Sequence, residues 1–170
     1  MCEETNECPR ELTKQSQHSP DPPGVVVDDE FVAKLVIAPQ HIEPGTGQVR
    51  NALIQKDELE RQGTSVVRLQ FSSEQEVGEL AQKLTSRDAR KSFCGIIKAA
   101  VSRIRELRSS EGTRTFCVID DGLPGQPSHA LIFSSSALNG PNVRRAREDL
   151  LQLFGSQARA PVDTDFGALG

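Results

Sequence analysis

Asp120, Asp121 and His129 stand close together between the two most apolar short runs of the chain, Phe116-Cys117-Val118-Ile119 and Ala130-Leu131-Ile132-Phe133. A carboxylate beside an imidazole raises its pKa and fixes its tautomer, as an acid/base catalyst needs. The residues between, Gly122-Leu123-Pro124-Gly125-Gln126-Pro127-Ser128, hold two glycines and two prolines, so a tight polar loop returns His129 toward the carboxylates. The commoner role for such groups is structural: the Asp residues make turn hydrogen bonds and His129 bonds a loop carbonyl. No nucleophile completes a set. Ser128, Ser134, Ser135 and Ser136 lie nearby without a G-x-S-x-G elbow. Cys117 sits in an apolar run without a basic neighbour, which makes a cysteine inert.

Other chemistries have weaker signals. Asp120, Asp121, His129 and His41 match no zinc or EF-hand spacing, so no metal is expected. There is no P-loop and no GxGxxG, and no cofactor is expected. Residues 83–114 are basic, with Lys83, Arg87, Arg90, Lys91, Lys98, Arg103, Arg105, Arg108 and Arg114. Such a face could contact phosphates, and Arg103 and Arg105 are its candidate binding residues. Asp88, Glu106 and Glu111 are mixed in, and no aromatic residues interleave to stack bases. A solvated helix face is the plainer reading.

The elements that must position these groups follow from spacing. The two apolar runs are too short for helices and read as strands, paired antiparallel across the loop between them. Phe31–Ala38 is apolar and β-branched and ends at Pro39, so it also reads as a strand. Ala52-Leu53-Ile54 is a weak strand, and Val67, Leu69 and Phe71 alternate as a half-buried one. Lys56–Gln62 is a short helical turn closed by Gly63. Ser73 and Glu76 form a capping box ahead of an apolar stripe of Val77, Leu80, Ala81 and Leu84. Phe93, Ile96, Ile97, Ala100, Val101, Ile104 and Leu107 have helical spacing and predict a helix over about 89–108. Pro141 opens a last helix that runs to Phe154 and ends at Gly155. The expected fold is α+β, with a mixed or mostly antiparallel sheet of about four or five strands and about three helices packed against it.

Residues 1–30 carry eight acidic and two basic residues, a net of −6 against −4 for the whole chain, so residues 31–170 are net +2. This polar stretch is expected to be a disordered acidic leader. Residues 31–155 are expected to form one domain, and 156–170 a flexible tail. The four cysteines do not suggest a disulfide framework, since Cys94 and Cys117 fall in apolar contexts and Cys2 and Cys8 in the leader. No apolar run is long enough to span a membrane. A reduced, cytoplasmic, soluble protein is the expectation.

The segment Val118–Ile132, with its apolar strand, acidic-Pro turn and Pro127-Ser128-His129-Ala130, resembles a motif of small bacterial proteins of unassigned function. Gly63-Thr64-Ser65-Val66-Val67-Arg68 is similar to their Gly-x-Ser-Val-x-Arg segment. Ser128 stands where that family has a small apolar residue. Such proteins are often encoded beside larger partners in defence-type gene clusters. The resemblance implies Asp120, Pro127, His129 and Arg68 as family-type positions, with Arg68 a binding residue, and brings no activity with it. The expected function is a non-enzymatic accessory or regulatory module that binds a protein partner. The alternatives are a small hydrolytic or nucleotide-processing enzyme using His129 with Asp120 or Asp121, and a phosphate-directed nucleic-acid binder through residues 83–114.

Overall fold

The computed structural model describes residues 7–21, 24–135 and 141–158. Five strands form one antiparallel sheet: β1 (Phe31–Ala38), β2 (Thr64–Arg68), β3 (Ser92–Ala100), β4 (Phe116–Asp120) and β5 (His129–Ser134), in the order β3-β1-β2-β5-β4. Four helices connect or cover them: α1 (Lys56–Arg61), α2 (Glu74–Thr85), α3 (Val101–Glu106) and α4 (Pro141–Phe154). The α+β expectation holds. β4 and β5 pair antiparallel, with Val118 opposite Ile132, as the matched apolar runs require. The capping box forms, with Ser73 Oγ accepting from the Glu76 N–H and the Glu76 carboxylate accepting from the Ser73 N–H.

Both faces of the sheet are covered. On one, Val32, Val36, Val66, Phe116, Val118 and Ile132 meet Leu59 of α1 and Leu150 and Phe154 of α4. On the other, Ala33, Leu35, Val67 and Ile96 meet Val77 and Ala81 of α2. Burying apolar surface on both sides removes the polar/apolar alternation that marks a half-buried strand.

That loss of alternation explains the main correction to the secondary structure. Residues 89–108 do not form one helix. Ser92–Ala100 is β3, and only Val101–Glu106 is helical. β3 pairs with the whole of β1, from Phe31 opposite Ala100 to Ala38 opposite Ser92. Ile96 and Ile97 are both buried, one on each face, so neighbouring apolar residues here mark a doubly covered strand. Gly95, at φ 118°, sits where the register slips between Val36 and Ile37, a conformation that glycine adopts without strain. Two smaller corrections replace expected strand with turn. The Val67–Phe71 alternation divides into the end of β2 and a 3₁₀ turn over Leu69–Phe71. The weak strand over Ala52–Ile54 is a 3₁₀ turn, Asn51–Leu53.

Of the leader, residues 7–21 and 24–30 are described, and they lie against β4 and α3. Cys8 is disulfide-bonded to Cys117 across 109 residues, which corrects the expectation of reduced cysteines and an inert Cys117. β4 is an edge strand, and the leader's side chains blunt it. The Val118 N–H donates to Glu11 Oε1 (2.5 Å) and the Arg114 N–H to Glu7 Oε2 (2.6 Å). Ser19 Oγ accepts from the Gly122 N–H, and a Cβ on Gly122 would lie 2.6 Å from the Ser19 nitrogen, so this close approach requires glycine. Residues 1–6, 22–23, 136–140 and 159–170 lie outside the described residues, including most of the expected tail.

Candidate functional site

The ladder between β1 and β2 holds for only two pairs, Val32 with Arg68 and Ala33 with Val67. Beyond them the strands part and open a cleft of about 330 Å³. Its walls include Leu35, Leu53, Val67 and Leu80, and its rim carries Leu84 and Leu123, 48% and 40% exposed. The α2 stripe seen in the sequence explains Leu84. Val77 and Ala81 reach the core, whereas Leu84 at the helix end overhangs the gap. Apolar walls with a few convergent polar groups are the usual make-up of a ligand site.

Lys34 lies in the gap. Its Nζ donates to Thr64 Oγ1 (2.5 Å) and to the Ser65 carbonyl (3.2 Å), past the point where the backbone ladder stops. Thr64 Oγ1 in turn donates to Glu58 Oε2 (3.0 Å). Burial lowers the Lys34 pKa to about 8, and the Glu58 carboxylate partly opposes that shift. Between about pH 8 and 10.5 the folded chain then binds fewer protons than the unfolded chain, so stability rises with pH across that window. The wild type is expected to gain up to about 3 kcal/mol relative to Lys34→Met over this range, measured as paired urea midpoints.

His41 lines the same cleft, and the Ile37 N–H donates to its Nδ1 (3.1 Å). A nitrogen that accepts carries no proton, so Nε2 holds the hydrogen. Burial and the charges of Lys34 and Lys91 lower its pKa to about 4, so His41 is neutral at physiological pH.

His129 also lines the cleft. Its Nδ1 lies 2.8 Å from the Asp121 carbonyl oxygen and 3.1 Å from Asp121 Oδ2. A carbonyl can only accept, so Nδ1 carries the proton and Nε2 is the basic nitrogen of the neutral ring. The loop therefore brings Asp121 to His129, but not Asp120. Asp120 pairs with Ala130, so its side chain shares the face opposite to His129's.

Asp120 belongs to a different cluster, with Arg68 and Glu30, and all three side chains are buried. Arg68 forks onto Glu30, Nε to Oε2 at 2.8 Å and NH2 to Oε1 at 2.7 Å, and its NH1 reaches Asp120 Oδ1 at 3.2 Å. The Gly24 and Val25 carbonyls accept from the same guanidinium, and the Phe71 ring lies 4.6 Å from it. Arg68 is thus a buried hub of the fold. The other two candidate binding residues are also engaged. Arg103 pairs with Glu106, and Arg105 with Glu11 and Asp28. The leader's acids therefore neutralise part of the basic stretch.

Sequence reasoning missed Lys34, whose signal was a lone cation inside an otherwise apolar strand. It also missed Leu84 and Leu123, for which a local pattern gives no exposure.

No family model, no curated protein and no solved structure matches this chain. Among the described residues no helix is long and apolar enough to cross a membrane. What the fold and the cleft define together is an α+β domain with a ligand-sized opening inside its sheet.

Proposed function

We propose that this protein is a non-enzymatic accessory module that docks an extended apolar segment of a partner protein in the cleft between β1 and β2. The observation that carries the reading is that Leu84 and Leu123 both line the cleft and both stay exposed. Large apolar groups that a monomer leaves uncovered around a groove mark contact surfaces. Action beside a larger partner of a defence-type system belongs to the same reading and rests on the sequence resemblance. The test is affinity capture from the native host with the wild type and a Leu84→Asp/Leu123→Asp variant. Both side chains are exposed, so the melting temperature is expected to hold while partner capture falls at least about tenfold, an ordinary effect for losing two central apolar contacts. Equal capture by both proteins, or no specific capture by the wild type, defeats the proposal.

The Asp121–His129 geometry favours a second reading, an acid/base enzyme working in the same cleft. Nδ1 is held by Asp121, and Nε2 bonds no described residue. His129→Gln is then expected to abolish turnover while melting within a few degrees of wild type. If His129 is structural, His129→Ala costs about 1–3 kcal/mol through the lost bond to Asp121 and changes nothing else. Thermal melts and a screen of hydrolysable esters and nucleotides on both variants separate the two. The nucleic-acid reading is weakened by the pairing of Arg90, Arg103, Arg105 and Arg114 with carboxylates.

A further inference from the structure

We propose that, once the Cys8–Cys117 disulfide is reduced, Cys8, Cys117 and Glu11 hold a zinc ion between the leader and β4. The ligating atoms of these three residues lie within 4.8 Å of one another, and all three residues are buried. They come from two ordered elements. Cys117 projects from β4, while Cys8 caps the 3₁₀ turn Pro9–Leu12 and Glu11 lies within it, a Cys-x-x-Glu spacing. The turn puts both leader ligands on the side that faces the strand.

Charge and geometry suit zinc. Two thiolates and one carboxylate around Zn²⁺ carry a net charge of −1. Arg114 NH2 (2.5 Å) and Arg105 Nε (3.2 Å) already sit on Glu11 Oε1 and offset that charge. Nearby guanidiniums also favour the thiolate form of cysteine. The Cα atoms of Cys8 and Cys117 are 5.6 Å apart. Tetrahedral zinc with Zn–S bonds of about 2.3 Å needs sulfurs about 3.8 Å apart, which side-chain rotation on this spacing supplies. Three protein ligands leave the fourth position to water.

The exchange balances. A dithiol reductant gives two electrons to the S–S bond and becomes a disulfide itself, leaving two thiols on the protein. Zn²⁺ then replaces the two thiol protons, which pass to solvent, and two Zn–S bonds form. The leader is thereby held on β4 in either redox state, by a disulfide when oxidised and by a metal when reduced.

The experiment uses the full chain, reduced with a phosphine and compared with the oxidised form. Each is incubated with zinc chloride, desalted and analysed for metal. Reduced protein is expected to keep one zinc per chain, and oxidised protein none. Cobalt substitution is expected to give thiolate-to-cobalt charge-transfer bands. Cys8→Ser and Cys117→Ser should lose the metal, and Glu11→Gln should weaken it by about tenfold or more. Cys94→Ser should keep it, because Cys94 is exposed and distant in the sheet order. If Cys117→Ser fails to fold, Cys8→Ser carries the test from the leader side. Equal zinc in the reduced and oxidised forms, or zinc retained by Cys8→Ser, overturns the proposal.

Discussion

Replacing Arg68 with methionine is expected to cost the fold about 3–5 kcal/mol, because it leaves two buried carboxylates without their cation. Glu30 and Asp120 have no solvent to turn to, since both are buried with the guanidinium between them. The same change frees the Gly24 and Val25 carbonyls, which are bonded only while the five-donor fork is present. Arg68→Lys restores the charge but not the fork, so it is expected to recover only part of the loss. A triple variant, Arg68→Met with Glu30→Gln and Asp120→Asn, removes all three charges and is expected to be more stable than Arg68→Met alone. Asn also keeps an acceptor for the Gln15 N–H that now bonds Asp120 Oδ2 at 2.9 Å. Urea unfolding of the four proteins gives the comparison. An Arg68→Met variant within about 1 kcal/mol of wild type would show that the cluster contributes little, as an exposed pair would.

Breaking the disulfide is expected to have an effect of similar size. Cys8 and Cys117 are 109 residues apart, so their bond confines most of the unfolded chain. The chain-entropy relation gives about 4–5 kcal/mol for a loop of that length, and removal of native disulfides typically costs about 2–5 kcal/mol. In metal-free buffer, Cys8→Ser and reduced wild type are expected to unfold at the same, lower denaturant midpoint. Cys94→Ser, which removes the exposed free thiol, should leave the midpoint of the oxidised protein unchanged. A wild type whose midpoint ignores the reductant would show that the leader's hydrogen bonds, through Glu11, Gln15 and Ser19, hold it without the covalent link.

These two effects share a cause. Both join residues far apart in sequence, and both tie the leader to the sheet. Composition presents the leader as surplus acidity. In the folded chain Glu11, Asp28 and Glu30 each answer an arginine that the sequence offers as a free binding group. That pairing changes how the basic stretch reads, from an open phosphate surface to a region partly neutralised from within.

Several features were legible from local sequence because local physics decides them. The β4–β5 ribbon follows from two matched apolar runs around a loop whose prolines and glycines limit its paths. The α2 start follows from the reciprocal bonds of Ser73 and Glu76, and α4 from a proline at its first position and one apolar stripe. The closeness of Asp121 and His129 follows from that same loop. Tertiary structure alone decided the rest. Phe93 to Ile104 has a spacing that fits a helix, and pairing with β1 made most of it a strand covered on both faces, where spacing no longer reports the period. Strand register put Asp120 on the far face from His129 and into the Arg68 cluster, because side chains alternate across a sheet. The cleft exists because β1 and β2 part after two pairs, and a gap between strands leaves no mark on either strand's own residues.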